Sequence, residues 1–335
     1  FPAHHTVTLN RGVFYENKLV NLDLSQNAIK LEGDSIFENN QIVNLKLPTT
    51  LQKIPNRTFA NNNLTSLEIP ASVQEIDNGA FAENKLTKLK IPSTLRKIGA
   101  RAFVSNRLTN IDFSEAHNLY IDQAAFHDNK LTKLNLPTGA GLTFNQNCSG
   151  YDNLDGVFSF NQTLTEVTLP QDMTTIPGCF LSGSGVKSIT IPASVTTIGK
   201  RAFHGQYLSE DQKLTNLTFA PGSQLTTIGE SAFYKQGLTT VDFPNTVTTI
   251  GGAAFAGNKL TSIILSESLT KLPYDVFANN KLTGVLLPNS ITTIDQNAFY
   301  GNVGVPSVGN KVLLFTEKRD HNYSNSDYHV INANN

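Results

Sequence analysis

The chain has 335 residues with 26 basic and 27 acidic side chains, which gives a formal net charge of −1, and it contains no long run of like charge. This balance argues against a nucleic-acid or an anionic membrane surface as partner. The longest apolar stretches are far shorter than the roughly 20 residues that cross a bilayer, so no membrane insertion is predicted.

A repeat of 22 or 23 residues runs along almost the whole chain, and it favours one elongated domain over the two that length alone suggests. Phenylalanine marks this repeat most clearly, because 13 of the 20 Phe residues recur at that interval, apart from two wider gaps. A fixed period in this range is typical of a solenoid, in which each unit stacks on its neighbours. The recurring residues are Phe14, Phe37, Phe59, Phe81, Phe103, Phe126, Phe158, Phe180, Phe203, Phe233, Phe255, Phe277 and Phe299.

In chain order, residues 1–18 are predicted to form an N-terminal cap with a half repeat, and residues 19–302 form twelve units. Residues 303–335 lack the repeat signal and are predicted to cap the twelfth unit or to lead to a further domain, with short strands at 311–316 and 328–332. The units begin at Leu19, Ile42, Leu64, Leu86, Leu108, Leu131, Leu164, Val186, Leu214, Leu238, Leu260 and Leu282.

Each unit follows the consensus L-T-x-L-x-L-P-x-x-L-x-x-I-x-x-x-A-F-x-x-N. The apolar alternation at its start predicts one short strand, and successive strands in the same direction predict a parallel sheet along one side. Proline ends the strand because it lacks the N–H that the ladder needs. The Ala-Phe pair is predicted to lie in a short helical turn. The fold class is therefore a solenoid of about twelve coils of 22–23 residues, with a parallel β-sheet on one side and turns and short helical segments on the other.

Phenylalanine and asparagine form two columns that are predicted to be structural. An inward amide both donates and accepts, so a stack of Asn side chains can satisfy backbone groups in the turns of neighbouring coils. Gln206 and Gln236 take the Asn position in two units. The repeat core is represented by Phe59, Phe81, Phe103, Phe255, Phe277, Asn62, Asn84 and Asn106.

Two insertions, residues 138–157 and 204–213, interrupt the period. Insertions in repeat proteins become loops that often carry binding. Cys148 lies in the first insertion and Cys179 directly precedes Phe180. These two cysteines either pair across adjacent coils or stay buried and reduced.

The sequence nominates no catalytic, cofactor-binding or metal-binding residue, and the chain is predicted not to be an enzyme. None of the seven His residues has the spacing of a metal-ligand pair, and no C-x-x-C, G-x-S-x-G or phosphate-binding glycine loop is present. His127 and His204 directly follow a repeat Phe and are predicted to lie on the surface. An enzyme that uses the 138–157 insertion is the weakest of the alternatives.

Two rows of side chains are predicted to face outward from the sheet: the fifth residue of each unit forms the first lane and the third residue forms the second lane. Charges alternate in the early units, Thr dominates the middle, and Ile264 and Leu286 end the first lane. This apolar pair either contacts a partner or packs under the C-terminal segment. No aromatic residue lines the lanes, which argues against a sugar-stacking site. Candidate partner-binding residues are Lys46, Glu68, Lys88, Lys90, Lys133, Ile264 and Leu286.

The consensus, seen for example at 86–107 (LTKLKIPSTLRKIGARAFVSNR), resembles the BspA-type leucine-rich repeats of bacterial surface proteins over about residues 13–302. The resemblance implies a leucine-rich repeat solenoid on a secreted or cell-wall-attached, extracellular protein. It further implies adhesion to host matrix or cell-surface proteins or to other bacteria. We therefore expect a non-enzymatic, monomeric binding module with a protein ligand, and leave a glycan open as a second class. The alternative is a structural spacer or wall-associated scaffold that projects another domain.

Overall fold

The computed structural model describes residues 6–26, 28–148, 155–302, 311–314 and 329–332. Short parallel strands and turns make up nearly all of these residues, and the one helix among them is a 3-10 turn at Glu210–Gln212. The chain divides into two compact units, Phe1–Pro170 and Gln171–Asn335.

The first unit contains two kinds of strand, and most of its coils carry both. The front strands cover the predicted L-x-L segment, and the second strands follow it after the turn and end at the consensus Ile. Front strands pair in parallel as β2–β4, β7–β9 and β11–β13, and second strands form the ladders β1–β3 and β5–β6–β8–β10–β12. The bounds are β1 Thr6–Leu9, β2 Asn21–Asp23, β3 Ala28–Leu31, β4 Asn44–Lys46, β5 Lys53–Ile54, β6 Glu75–Ile76, β7 Lys88–Lys90, β8 Lys97–Ile98, β9 Asn110–Asp112, β10 Tyr120–Ile121, β11 Lys133–Asn135, β12 Thr143–Phe144 and β13 Glu166–Thr168.

The second unit repeats this arrangement, with front strands β15–β17 and β19–β21 and second strands β14–β16–β18–β20 and β22–β23. Two further strands, β24 and β25, pair in antiparallel fashion and fall where the sequence predicts C-terminal strands. The predicted capping roles of residues 1–18 and 303–335 fall partly outside the described residues and stay predictions. The bounds are β14 Thr175–Ile176, β15 Ser188–Ile191, β16 Thr197–Ile198, β17 Asn216–Phe219, β18 Thr227–Ile228, β19 Thr240–Asp242, β20 Thr249–Ile250, β21 Ser262–Ile264, β22 Lys271–Leu272, β23 Thr293–Ile294, β24 Lys311–Leu314 and β25 His329–Asn332.

The predicted parallel solenoid of stacked coils is confirmed, with two differences in detail. Most coils carry two short strands where one was expected. Turns also replace the expected helical segments around the Phe column. In the coil of Phe59, Arg57 and Asn61 both have φ of 51°, in the left-handed region, and such residues interrupt a right-handed helix. The N–H groups of Arg57, Phe59 and Asn61 instead donate to the next coil, each over 2.9 Å.

The Phe column fills the core of each unit. In the first unit Phe59, Phe81 and Phe103 are fully buried, and successive ring centroids lie 5.5 and 5.4 Å apart with nearly parallel planes. In the second unit Phe255 and Phe277 are equally buried, with centroids 5.9 Å apart. Each ring thus covers the ring of the next coil, and no coil can bury its apolar side alone.

The Asn column ties neighbouring coils together through backbone groups. The Asn84 amide oxygen accepts from Leu64 N–H over 3.0 Å, and its amide nitrogen donates to the carbonyls of Phe59 and Phe81 over 2.9 and 3.2 Å. Asn62 and Asn106 make the same set of bonds in their own coils. Each amide therefore satisfies backbone groups in two coils at once.

Two smaller expectations are settled by the structure. Gln236 occupies the Asn position, since its side chain bonds Leu214 N–H and the Phe203 carbonyl. The same prediction is wrong for Gln206, which is exposed within the second insertion. Both cysteines are disulfide-bonded, so the reduced alternative is excluded.

Candidate functional site

The front strands present the two lanes to solvent because their side chains alternate. In β7, Leu89 points into the core while Lys88 and Lys90 on either side are exposed. The same exposed–inward–exposed order holds in β11 and in β19 and β21. Glu68 is exposed as well, although its segment is not assigned as a strand. All seven candidate partner-binding residues are therefore exposed, with their side chains supported by buried neighbours.

Most candidate lysines in the first unit are already paired with carboxylates of a neighbouring coil. Lys90 Nζ lies 2.7 Å from Glu115, and this hydrogen bond raises the pKa of Lys90. Lys133 Nζ lies 3.1 Å from Glu166 in the adjacent strand. Exposed pairs of this kind contribute little to stability, but they neutralise the lane locally.

Lys46 of the first lane forms a third pair, 3.2 Å from Asp23 in the adjacent strand. Hydrogen bonds from the Ser25 hydroxyl and backbone, together with Lys46, lower the pKa of Asp23 to about 2. By contrast, Lys88 and Glu68 take part in none of the ion pairs formed between described residues. Asp112, whose carboxylate accepts a hydrogen bond from Ser114 N–H, is the third lane charge of the first unit that forms no ion pair with a described residue.

The first lane changes character in the second unit. The hydroxyls of Thr190 and Thr218 lie 2.8 Å apart and hydrogen-bond each other across β15 and β17. Asp242 is exposed in β19. Ile264 and Leu286 follow on the next two coils and are 63% and 61% exposed. The alternative that they pack under the C-terminal segment falls largely outside the described residues and stays open. Among the described residues, the apolar pair lies on the surface next to Asp242, a first-lane residue that is not among the seven candidates predicted from the sequence.

The histidines occupy different environments from those predicted. His204 is only 7% exposed and stacks on Tyr234 with ring centroids 4.9 Å apart, so the surface prediction is wrong for this residue. Burial lowers the pKa of His204 to about 4, and the positive charges of Arg201 and Lys235 act in the same direction. The next coil covers His204 because its Tyr occupies the equivalent position.

His127 is half-buried and makes a contact that superficially resembles a catalytic pair. Its Nδ1 lies 2.7 Å from Ser159 Oγ, while that hydroxyl donates to the Gly156 carbonyl over 2.8 Å. The imidazole N–H must therefore donate to the Ser159 oxygen, the reverse of what activates a nucleophile. Ser159 is also fully buried and out of reach of a substrate. The pair serves to hold two coils together.

Within the described ranges, no three or more His, Cys, Asp or Glu residues are arranged to hold a metal ion. The same part of the chain contains no helix long and apolar enough to cross a membrane.

Several solved structures are similar to this chain. A leucine-rich repeat protein from Bacteroides ovatus is 21% identical with a TM-score of 0.55, over 88% of this chain and 80% of that chain. A leucine rich cell surface protein from Faecalibacterium prausnitzii is 18% identical with a TM-score of 0.45, over 88% and 74%. The pneumococcal vaccine antigen PcpA is 13% identical with a TM-score of 0.49, over 86% and 89%. The first likeness shows a shared fold.

No curated protein sequence matches the chain. The model of the BspA type leucine rich repeat region, in contrast, matches six copies over residues 32–154, 140–209 and 206–306, which is most of the sequence. The buried Phe column, the Asn column and the parallel front strands are the physical counterpart of that pattern. The chain belongs to the BspA-type leucine-rich repeat family.

Proposed function

We propose that the chain is a non-enzymatic binding module that holds a protein partner on the lanes of its front strands. The observation that carries this proposal is a regular row of exposed side chains fixed at strand spacing above a fully buried core. Such a surface is ordered before the partner arrives, so little conformational entropy is lost on binding. The lanes therefore suit recognition of a large, complementary surface.

The setting of this binding follows from the resemblance to bacterial surface proteins. We place the chain outside the cell, secreted or attached to the wall, and acting as a monomer. Its partner is a host matrix or host cell-surface protein, or a protein on another bacterium, with a glycan as the second class. Adhesion is the role that this combination serves best.

The experiment uses the full chain immobilised on a sensor surface. Fibronectin, fibrinogen, laminin and intact epithelial cells are passed over it, followed by a variant in which all seven candidate residues are replaced by Ser. The matched control replaces Gln52, Gln74 and Gln224, which are exposed outside the lanes, by Ser.

We expect at least one probe to bind the native chain and the control, and to bind the lane variant at least tenfold more weakly. Absence of binding by every probe would favour the spacer role and overturn the proposal. If the lane variant binds as tightly as the native chain, the partner binds to a surface outside the lanes.

A further inference from the structure

We infer that Asp242, Ile264 and Leu286 form a docking surface for a protein segment that presents a Lys or Arg side chain beside aliphatic side chains. This inference rests on the proposed binding function and names the partner chemistry at one end of the first lane. The three residues are called the acidic-apolar patch below.

The apolar part of the patch is a departure from the rest of the lane. Ile263, Val285 and Leu287 are buried, whereas Ile264 and Leu286 between or beside them point outward. At the other first-lane positions the chain places charged, amide or Thr side chains. Contact of these two aliphatic side chains with water is unfavourable, so a partner that covers them would gain binding free energy from their burial.

The described residues around the patch leave it accessible. Its neighbours in the second lane are Thr240, Ser262 and Gly284, which are small and uncharged. Gly284 has no side chain, so the flank of Leu286 is open. An apolar centre with a polar rim is the usual anatomy of a protein–protein contact.

The charge on the patch selects the partner. Asp242 is exposed and takes part in none of the ion pairs between described residues, whereas Asp23 in the first unit is paired with Lys46. Lys259 and Lys271 of the second unit are each engaged over 2.7 Å, by Glu210 and Asp295. A cation brought by a partner would therefore meet a carboxylate that forms no ion pair with any described residue.

The spacing of the patch suits an extended segment. Lane positions on successive coils lie about 4.8 Å apart, so Asp242 and Leu286 are separated by about 10 Å. A cation and two aliphatic residues at alternate positions of an extended segment span about 13 Å, and the long, flexible Lys or Arg side chain can cover the difference of about 3 Å. A cation followed at alternate positions by two aliphatic residues can therefore contact all three side chains of the patch.

The test is methyl NMR on the full chain with ¹³C-labelled Ile and Leu methyl groups. The probes are three peptides with the cores Lys-Thr-Leu-Thr-Leu, Glu-Thr-Leu-Thr-Leu and Lys-Thr-Ser-Thr-Ser. We expect the first peptide to shift the Ile264 and Leu286 signals and to bind at least fivefold more tightly than the second. The third peptide should leave both signals in place.

Variants separate the charge from the apolar contact. Asp242→Asn should remove most of the preference for Lys over Glu, and Ile264→Ser with Leu286→Ser should abolish binding of the first peptide. The matched control, Gln52→Ser with Gln74→Ser, changes exposed residues outside the lanes and should leave the binding unchanged.

The inference is overturned if the Lys peptide shifts neither methyl signal, or if Asp242→Asn leaves the preference intact. These outcomes are distinct from failure of the binding function itself. If the chain binds matrix proteins or cells but none of the peptides, the proposed binding function stands and only the inference about the acidic-apolar patch is wrong.

Discussion

The lanes of the two units differ although the coils beneath them are alike. In the first unit, lysines alternate with carboxylates and are paired across coils, as in Lys133 and Glu166. In the second unit, a Thr pair gives way to an unpaired carboxylate and two exposed aliphatic residues. Stacking fixes the inward residues of every coil, whereas nothing in the core constrains the outward ones. Recognition can therefore vary along the chain without any change of fold.

Because the Phe columns of the two units are alike, replacing one Phe by Ala should lower the free energy of unfolding by the same amount in either unit. Phe59→Ala and Phe255→Ala each remove a fully buried ring that lies between two others, so each should lower the free energy of unfolding by roughly 3–5 kcal/mol. Guanidinium unfolding followed by circular dichroism measures both. A cost in one unit that is less than half of that in the other would show that the columns are not equivalent.

His127 in the first unit and His204 in the second should make the stability of the two units respond differently to acid. The folded pKa of His204 is lowered from 6.5 to about 4, so its contribution to stability is complete above pH 6.5 and is lost as pH falls towards 4. The loss is roughly 3 kcal/mol at most, from about 1.4 kcal/mol per pKa unit. At His127, Asp155 and Asp128 oppose the lowering caused by burial.

The measurement is the free energy of unfolding at pH 7 and pH 4 for the native chain and for His204→Gln, with His127→Gln as the matched variant. Replacing His204 should reduce the loss between the two pH values, and it should do so more than replacing His127. An identical loss in the native chain and in His204→Gln would show that this imidazole titrates normally.

The solenoid could be predicted from sequence because one Phe per coil is a signal that twelve units repeat. The second strands could not, since two residues ending in Ile carry no periodicity of their own. The left-handed turns were hidden for another reason. Sequence reading assigns positive φ to Gly or Asn, yet Arg57 and Ala253 adopt it here. Hydrogen bonds to the next coil hold them there, and no single unit reveals those bonds.

The candidate site was predictable in position and only partly in chemistry. Alternation alone identified the outward residues of each front strand. The partner of Lys90 could not be found in the same way, because Glu115 lies outside both lanes and 25 residues along the chain. Burial of His204 depends on Tyr234 in the next coil. Properties that depend on one coil follow from the sequence pattern, and those that depend on two require the structure.

The smallest predicted difference in stability is between variants of Asn84 and of Gln236, two side-chain amides of the Asn column. Asn84 bonds three backbone carbonyls and one N–H, whereas Gln236 bonds one carbonyl and one N–H. Removing either side chain leaves buried backbone groups unsatisfied, at roughly 1–3 kcal/mol. Asn84→Ala should therefore cost more than Gln236→Ala in guanidinium unfolding, and Asn84→Gln should restore only part of the loss because the longer side chain does not fit the same turn. A larger cost for Gln236→Ala would mean that the number of bonds does not set the strength of this column, and that packing around the amide does.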